Sequence, residues 1–505
     1  MQKPKKTNLY YLIIIILGGL ILRLIFFSGY VGGDDKHYIT QAYKYSIGDF
    51  VPGDNLWALR IGLVIPTSFF FFLFGVNEFS SILFSLLCSI GNIILIYHLG
   101  KLLFDEKVGL IGAFLLSFYP LDVIYSTHLF PDIVLCFFTG LTIYLFLKGE
   151  DNEKKIWYLL SGISLGISYL IKESTVVICL FFIFYILYKR KIKINYFLVP
   201  LGFLLIVGLE LTLYYFQIGD YFYRHHKIYE RWPSSRDDIN ILRGSNWVIE
   251  PLLMLTTNQE FGLFYYFILP IIVYLLFKRD KKVNILLCWL IPCFLYLFYG
   301  SVSLFYYLPT ERDERYTSII TLSALLILAY FLVRKMNKKF LVSSIILLFL
   351  TSIGAVYVDN SRIQDYVYRE TYTFYKNHPN SNLIVDSFNY FSILFYTEFK
   401  TNPNLKVFYP DDVAKKSDVA KDIKKLYPDV EEIFDLNKVH NTYVSIDMNY
   451  INQIPLKAKL VKTIEKPQRF YYILLEKGFL KEVWEGIRGD RKYPFRKIYK
   501  IYYLD

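Results

Sequence analysis

Apolar runs of about 20 residues recur along this chain from the N-terminus to about residue 358. A helical run of that length matches the roughly 30 Å hydrocarbon layer of a lipid bilayer. Hydrophobic residues make up 54% of the sequence, and after residue 358 the pattern changes to short mixed segments of ordinary charge density. The sequence therefore predicts an α-helical polytopic membrane protein with a small C-terminal α/β domain.

Basic residues mark every second connection between the apolar runs. The formal net charge is +12, and the Lys and Arg clusters lie at 3–6, 154–155, 189–191, 278–282 and 334–339. Cytoplasmic loops of membrane proteins carry such an excess of Lys and Arg, and the excess sets the orientation. The pattern predicts a multi-pass protein of the cell (plasma) membrane with a cytoplasmic N-terminus. It assigns the positive charge to membrane lipids, and no nucleic-acid partner is expected.

The apolar runs predict about eleven transmembrane helices plus an interfacial or re-entrant helix at 61–75, which Pro66 interrupts. The first span is not expected to be a cleaved signal, because no small-residue cleavage site follows it. The expected spans are 9–29, 79–101, 108–126, 132–148, 157–171, 174–188, 195–216, 261–277, 283–300, 317–333 and 340–358.

These spans divide the chain into two expected domains. A membrane domain covers 1–358 and has outer loops at 30–78 and 217–260, and a soluble extracytoplasmic domain covers 359–505. The basic connections lie inside, so the acidic and His-bearing connections all fall on the outer side. All five cysteines lie in apolar spans without metal-like spacing, and we expect neither disulfides nor a cysteine metal site.

Two adjacent acids, Asp34 and Asp35, follow the first span directly, in the sequence Val31-Gly-Gly-Asp-Asp-Lys-His37. Paired acids at the end of a membrane helix have no packing role there. From the residues alone, such a pair fits a general base, a metal ligand or a cation site.

Other ionisable residues fall on the same predicted outer side. Charged groups at membrane depth are costly and commonly mark a site. For Glu78 and Asp132 the alternative is an ordinary acid in the first turn of a helix, where it favourably meets the helix dipole. The outer residues are Arg60, Glu78, His128, Asp132, Lys172, Glu173, His225, His226 and the charged run 311–315.

Several short motifs occur in a characteristic order. After the acid pair come Arg60-Ile-Gly-Leu-Val-Ile-Pro66, then Gly75-Val-Asn-Glu78, then Ser126-Thr-His-Leu-Phe-Pro-Asp132, and then Gly162-Ile-Ser-Leu-Gly166 through Lys172-Glu173. Over about 10–335 this order resembles the GT-C superfamily of membrane glycosyltransferases, in particular the branch of the protein O-mannosyltransferases and the aminoarabinose transferase of lipid A. The resemblance implies transfer of one sugar from a polyprenyl-phosphate donor to a protein, lipid or glycan acceptor at the outer face.

The resemblance also implies roles for particular residues. Asp34 or Asp35 would be the base that activates the acceptor, and which of the two leads stays open. The donor phosphate needs cations, and the candidates are Arg60, Arg312 and Arg315, followed by Lys172. For Arg312 and Arg315 the alternative is pairing with the neighbouring acids in a solvated loop.

Some members of this superfamily bind a divalent metal ion. Beside the acid pair, the candidate ligands here are Glu78, Asp132, and His225 or His226. The alternative for the two histidines is an ordinary polar pair in a loop.

The C-terminal domain is expected to contain strands at 383–386, 405–409, 442–446 and 470–475 and a helix at 417–426. It has no Gly-rich phosphate loop, so a nucleotide-sugar donor is not expected there. The resemblance implies that this domain recognises the acceptor or covers the active site. The basic tail 488–500 fits either a solvated surface or a contact with anionic lipid head groups or glycans.

Two other functions fit part of this sequence. A transporter or flippase of lipid-linked sugar would also need many helices and intramembrane charge, but it would place the acids near the midplane and show inverted repeats. An oligosaccharyltransferase would carry a large globular domain with a Trp-Trp-Asp-type motif, which this sequence lacks.

Overall fold

The computed structural model describes residues 6–231, 248–301, 310, 312–362, 365–400, 403–409, 423–424, 430–433, 435–436, 439–447, 458–464 and 499–504. The chain forms two compact units. The first unit contains Met1–Phe27, His37–Phe70 and Ser81–Asn360, and the second contains Ser28–Lys36, Phe71–Ser80 and Ser361–Asp505. The second unit therefore begins near the predicted domain boundary, but it also takes in two short segments from the N-terminal part of the chain.

Helices coincide with every predicted span, which confirms the polytopic α-helical fold with its small C-terminal sheet region. In the described residues, seven helices are long and apolar enough to cross a membrane, and three shorter apolar helices accompany them. The seven are Asn8–Ile25, Glu78–Leu103, Pro131–Asn152, Ile194–Ile218, Lys281–Tyr299, Glu314–Arg334 and Lys338–Tyr357, and the shorter three are Ile61–Phe74, Lys155–Ile171 and Phe264–Phe277. The predicted helix at 61–75 is thus a helix that continues through Pro66.

The third predicted span, 108–126, is broken into two helices, Glu106–Ser117 and Pro120–Tyr125. The break falls at Pro120, which cannot donate a backbone hydrogen bond and instead begins the second helix. Arg23 joins the two pieces from the first helix of the chain. Its guanidinium donates to the carbonyl of Ser117 at 2.9 Å and pairs with Asp122 at 2.5 Å, and both charged side chains are almost fully buried.

The sixth predicted span, 174–188, is also divided. It starts as the 3-10 helix Glu173–Ile178 and continues as the α-helix Cys179–Lys189.

Helix Ser318–Arg334 forms the centre of the first unit. All its residues from Ser318 to Leu332 are buried, and it packs against Glu106–Ser117, Pro131–Asn152 and Asn284–Tyr299. A helix that is buried on every side has no face for charged residues, and the polar residues in this stretch, Ser318, Thr321 and Ser323, are small.

Helices Lys155–Ile171 and Leu198–Ile218 pack with their backbones unusually close. A Cβ atom at Gly162 would lie 2.0 Å from the carbonyl oxygen of Val199, and one at Gly202 would lie 2.4 Å from that of Leu159. Small residues at this spacing let membrane helices approach closely. The motif Gly162-Ile-Ser-Leu-Gly166 is therefore a packing motif, and it fixes the helix that ends at Lys172.

The predicted outer loops contain short helices. Asp35–Ser46 is helical although its sequence is polar, so Asp35 begins a helix and does not lie in a flexible loop. The loop 217–260 contains helices Tyr223–Arg231 and Glu250–Thr257, and its part 232–247 lies outside the described residues.

The described part of the second unit contains a mixed sheet of six strands: β1 (Asn382–Asp386), β2 (Leu405–Phe408), β3 (Glu432–Ile433), β4 (Thr442–Asp447), β5 (Lys459–Ile464) and β6 (Tyr499–Leu504). Their order is β3-β2-β1-β4-β6-β5, with parallel pairing from β3 to β4 and antiparallel pairing of β6 with both neighbours. Ile384, Val444 and Tyr502 are among the buried residues of its core. Helices Asp365–Asn377 and Ser387–Tyr396 accompany the sheet.

Three of the predicted strands, β1, β2 and β4, are present where expected. The predicted strand at 470–475 and most of the predicted helix 417–426 lie outside the described residues, as does the basic tail up to residue 498. Tyr499 and Lys500 begin β6, in which Tyr499 and Ile501 are buried.

Candidate functional site

The acid pair belongs to the second unit, and its two members have different environments. Asp34 is partly exposed, whereas the side chain of Asp35 is fully buried. One carboxylate oxygen of Asp35 accepts the backbone N–H of Val31 at 2.7 Å and that of Gly32 at 3.3 Å. Asp35 therefore closes the turn that presents Asp34.

The burial of Asp35 changes its protonation. Burial raises the pKa of Asp35 to about 6, and the nearby charge of Asp34 adds to this rise. The backbone N–H groups of Val31 and Gly32 and the charge of Lys36 act in the opposite direction, because they favour the ionised carboxylate. A carboxylate of this kind titrates close to physiological pH.

Lys172 lies at the end of helix Lys155–Ile171 in the first unit and is buried. Its ammonium nitrogen lies 2.6 Å from Oδ1 of Asp132 and 3.9 Å from the centre of the Tyr316 ring. Burial lowers the pKa of Lys172, and the positive charges of Arg60 and Arg315 contribute to that lowering. An ammonium group has three N–H donors, so these two contacts do not use its full capacity.

Arg60 and Arg224 hold the carboxylate of Glu173 from two sides. The shortest contacts are 2.8 Å from Arg60 and 3.2 Å from Arg224. Although burial alone would raise it, the two guanidinium groups hold the pKa of Glu173 well below its usual range. Arg60 also donates to the hydroxyl of Tyr38 at 2.5 Å, and Arg224 pairs with Glu210 at 2.8 Å.

Arg315 forms a two-pronged pair with Asp313, with distances of 3.0 Å and 2.7 Å from its Nε and Nη2. Its guanidinium also stacks on the ring of Phe130 at 4.7 Å. Since both Arg60 and Arg315 affect the protonation of Lys172, three of the four predicted phosphate ligands lie within electrostatic reach of one another. We call Arg60, Lys172 and Arg315 the cation cluster.

Arg312 has other neighbours. It pairs with Glu250 at 2.7 Å and donates to the carbonyl of Phe298. The structure therefore gives Arg312 a different environment from that of the cation cluster.

Several buried polar atoms around the cation cluster have no hydrogen-bond partner within the described part of the chain. Oδ2 of Asp132, the partner of Lys172, is one. Oγ1 of Thr175 is another, and the backbone N–H of Thr175 donates to the carbonyl of Lys172 at 3.1 Å. Both ring nitrogens of His128 are also without partners, and burial together with the charge of Arg315 lowers the pKa of His128 to about 3. Buried polar groups are normally satisfied, so these atoms are candidates for hydrogen bonds to a polar ligand.

Each of the candidate metal ligands has another partner in the structure. In the second unit Glu78 pairs with Arg369 at 2.8 Å, and in the first unit Asp132 pairs with Lys172. His226 pairs with Asp220 at 2.7 Å, and His225 lies 3.2 Å from the hydroxyl of Tyr169. Across the residues that the structure describes, no three His, Cys, Asp or Glu side chains are grouped to hold a metal ion. The metal site therefore stays a prediction, and we derive no catalytic step from it.

Sequence analysis missed Arg224 and Glu210. Arg224 is almost completely buried, and it joins Glu210 to Glu173, a member of the predicted outer set. Glu210 is an isolated acid within the apolar helix Leu198–Ile218, and an acid in such a position is a recognisable sign of a buried polar partner. Arg224 carried no such sign, because it lies in a generally basic and polar segment.

Residues 65–215 of the chain match the family model described as dolichyl-phosphate-mannose-protein mannosyltransferase. No curated protein sequence matches the chain. Among solved structures, apo ArnT from Cupriavidus metallidurans has a TM-score of 0.66 at 12% identity, and the similarity covers 90% of this chain and 97% of that one. For ArnT from the same organism bound to undecaprenyl phosphate, the TM-score and identity are the same and the similarity covers 97% of both chains.

A third solved structure shares the architecture over less of its length. The archaeal oligosaccharyltransferase AglB from Archaeoglobus fulgidus, in complex with an inhibitory peptide and a dolichol-phosphate, has a TM-score of 0.50 at 14% identity. The similarity covers 88% of this chain and 69% of that one. Together these matches confirm the resemblance to the GT-C superfamily, and this multi-pass membrane protein has the GT-C fold.

Proposed function

We propose that this chain, which has the fold of GT-C membrane glycosyltransferases, transfers a single sugar from a polyprenyl-phosphate donor to an acceptor at the outer face of the membrane. The observation that carries the proposal is the cation cluster, in which a buried lysine with spare donor capacity lies within electrostatic reach of two arginines. The matched structures contain undecaprenyl phosphate and dolichol-phosphate, which supports a donor of this class.

The cation cluster has the chemistry that a leaving phosphate needs. As the bond between sugar and phosphate breaks, negative charge grows on the phosphate oxygens, and fixed cations in a partly buried environment stabilise that charge. Asp132 and Asp313 hold Lys172 and Arg315 in place before the donor arrives. We assign Lys172 the direct phosphate contact, since the two arginines already have several of their N–H groups bound to Glu173, Tyr38 and Asp313.

The two acids of the first connection have separate roles in this proposal. Asp34 is the base that accepts the proton of the acceptor hydroxyl or amine, because it is the accessible member of the pair. Asp35 is fully buried and bound to backbone N–H groups, so it positions Asp34 and does not itself touch the acceptor.

The acceptor is a protein, a lipid or a glycan, and the sugar is a hexose or a pentose. Both follow from the resemblance alone. The sequence after residue 358 has no Gly-rich phosphate-binding motif, which supports a lipid-linked donor over a nucleotide sugar.

The test is transfer by the purified protein in liposomes with a radiolabelled polyprenyl-phosphate hexose or pentose. We expect acceptor-dependent transfer, or slow donor hydrolysis without acceptor, in the absence of any transmembrane gradient. The Asp34→Asn variant should lose this activity. Asp49→Asn is the matched control, because Asp49 is an exposed acid that follows the same short helix.

A different result would contradict the proposal. Movement of intact lipid-linked sugar between leaflets, without cleavage, would identify a flippase. Full transfer by Asp34→Asn would remove the assigned base.

A further inference from the structure

We propose that Arg369, in a helix of the C-terminal region, is a positioning residue for the acid pair. The inference rests on the proposed function, since it concerns the geometry of Asp34 and Asp35. It gives the C-terminal domain a role that differs from acceptor recognition or covering a site. All the contacts that carry it lie within the second unit, to which Ser28–Lys36 and Phe71–Ser80 belong.

Arg369 binds two of the short N-terminal segments of this unit at once. Its Nη2 lies 2.8 Å from Oε1 of Glu78 and donates to the carbonyl oxygen of Ser28 at 2.9 Å. The same oxygen of Glu78 accepts the hydroxyl of Tyr396 at 3.0 Å and, more weakly, the backbone N–H of Tyr30 at 3.3 Å. Glu78 is therefore the point at which three separate parts of the chain meet.

Tyr30, two residues after Ser28, lies in an aromatic cluster of the C-terminal region. Its ring centre is 5.0 Å from that of Phe395, 6.1 Å from that of Tyr368 and 6.2 Å from that of Tyr396. The side chain of Tyr30 is almost completely buried by these neighbours. Aromatic contacts of this kind stabilise a defined ring orientation in addition to burying apolar area.

Gly32, before the two acids, and Lys36, after them, also pack against aromatic rings of the C-terminal region. Gly32 has a φ of +77°, and a Cβ atom there would lie 2.6 Å from the Tyr368 ring, so only glycine fits against that ring. The ammonium group of Lys36 lies 4.6 Å from the centre of the Phe388 ring. The segment that carries the acid pair is thus held before, within and after the turn.

The support that Arg369 gives to this segment acts on the two acids through the backbone. Tyr30 and Gly32 flank Val31, and the N–H groups of Val31 and Gly32 are the ones that Asp35 accepts. If Arg369 is lost, Ser28 and Glu78 lose their shared partner, and the turn that fixes Asp35 loses one of its supports. Since Asp34 follows this turn, its carboxylate would no longer be held at one position relative to the acceptor.

The neighbouring residue of the same helix provides a matched control. Glu370 pairs with Lys462 of β5 at 2.8 Å, a contact between helix and sheet that does not involve Ser28–Lys36. Loss of the Glu370–Lys462 pair removes one ion pair from the second unit, as loss of Arg369 does. It does not remove any contact of the segment that carries the acid pair.

The experiment compares Arg369→Ala, Arg369→Lys and Lys462→Ala in the full-length protein. One measurement is kcat and the donor KM, and the other is amide hydrogen exchange of the peptide that covers Ser28–Lys36. For Arg369→Ala we expect kcat to fall at least about tenfold with little change in KM, because geometry and not donor binding is affected. Exchange in Ser28–Lys36 should become faster. Arg369→Lys keeps a cation for Glu78, so it should recover part of the lost kcat and part of the slow exchange in Ser28–Lys36. Lys462→Ala should match wild type in both measurements.

The outcomes separate this inference from the proposed function. Wild-type transfer with an unchanged kcat for Arg369→Ala would overturn the positioning role, as would unchanged exchange in Ser28–Lys36 or equal losses in Lys462→Ala. A wild-type protein without transfer would instead contradict the proposed function. In that case faster exchange in Arg369→Ala alone would still support Arg369 as the residue that holds the segment.

Discussion

Lys172 and Asp132, which sequence analysis assigned to a phosphate site and to a metal site, form a single buried ion pair with an N–O distance of 2.6 Å. The pair joins the end of helix Lys155–Ile171 to the first turn of helix Pro131–Asn152. Breaking a buried pair by removing one partner is costly, because the other charge stays buried. Asp132 therefore works as the anchor of Lys172, and experiments on Lys172 need to treat the two residues together.

The first prediction concerns the donor phosphate. Replacing both charges, in Lys172→Met with Asp132→Asn, should weaken binding of polyprenyl phosphate by about ten- to a hundredfold, since a charge-assisted hydrogen bond contributes about 1.5–3 kcal/mol. Affinity is measured with the purified protein by ligand-induced thermal shift. Lys193→Ala is the control, because Lys193 is a cation that pairs with Glu150 elsewhere in the first unit. Equal affinity in the double variant and the wild type would exclude Lys172 as the phosphate contact.

The second prediction separates the two acids. Asp34→Asn should lower kcat by about 10²–10⁴-fold, which is the range for loss of a general base, and should leave the thermal unfolding temperature nearly unchanged. Asp35→Asn should lower kcat as well and should also speed amide exchange at Val31 and Gly32, because its carboxylate holds those N–H groups. Kinetics and exchange on both variants check this. Identical exchange in the two variants would contradict the division of roles.

The third prediction concerns pH. The folded-state pKa of Asp35 is about 6, above the ordinary value of 3.8, so protonation of Asp35 favours the folded state. That stabilisation is fully present below about pH 4 and is lost as the pH rises through about 6. Transfer should change in the opposite direction, because the ionised carboxylate binds the N–H groups of Val31 and Gly32 more strongly. We expect the kcat of the wild type to rise as the pH increases through about 6. This rise should be absent in Asp35→Asn.

The fourth prediction concerns stability. Arg23→Met leaves Asp122 as an unpaired buried charge and should reduce the free energy of unfolding by about 3–5 kcal/mol. The double variant Arg23→Met with Asp122→Leu should recover much of this loss, because neither charge is then buried. Thermal unfolding in detergent measures both. A double variant no more stable than the single one would contradict the explanation that the loss comes from an unpaired buried charge.

The fifth prediction concerns orientation. Reporter tags inserted after Lys191 and after Lys281 should be cytoplasmic, and tags within 220–255 or at the C-terminus should be on the outer side. This follows from the alternating basic connections. A cytoplasmic C-terminal domain would contradict the orientation and with it the outer location of the acid pair.

The membrane helices were predictable because burial in a bilayer imposes a length and a composition on each segment separately. The break at Pro120 was not predicted, although the missing N–H of proline was visible in the sequence. The helix Asp35–Ser46 was missed because its polar sequence has no apolar run, and its conformation depends on contacts such as the Arg60–Tyr38 bond, between residues 22 positions apart.

The site was only partly predictable for a related reason. Sequence analysis found Arg60, Lys172 and Arg315 as separate cations, and the structure adds their proximity. Glu78 was assigned to a possible metal site. Its pairing with Arg369 could not be predicted, because the two residues are 291 positions apart and no local pattern connects them. Acidic and basic residues have the same local appearance whether they bind a ligand or each other, and only the fold distinguishes the two.

The order of strands in the C-terminal sheet has a consequence for how the protein is made. Strand β6 lies between β4 and β5, and the described part of the sheet pairs β5 with β6 alone. During synthesis β5 therefore leaves the ribosome without a strand to pair with, and β4 keeps an open edge until 499–504 has been made. The parallel half, β1 to β4, can assemble earlier. Until then the open edge of β4 can pair with another chain, so it is an edge that a chaperone would need to cover in the nascent domain.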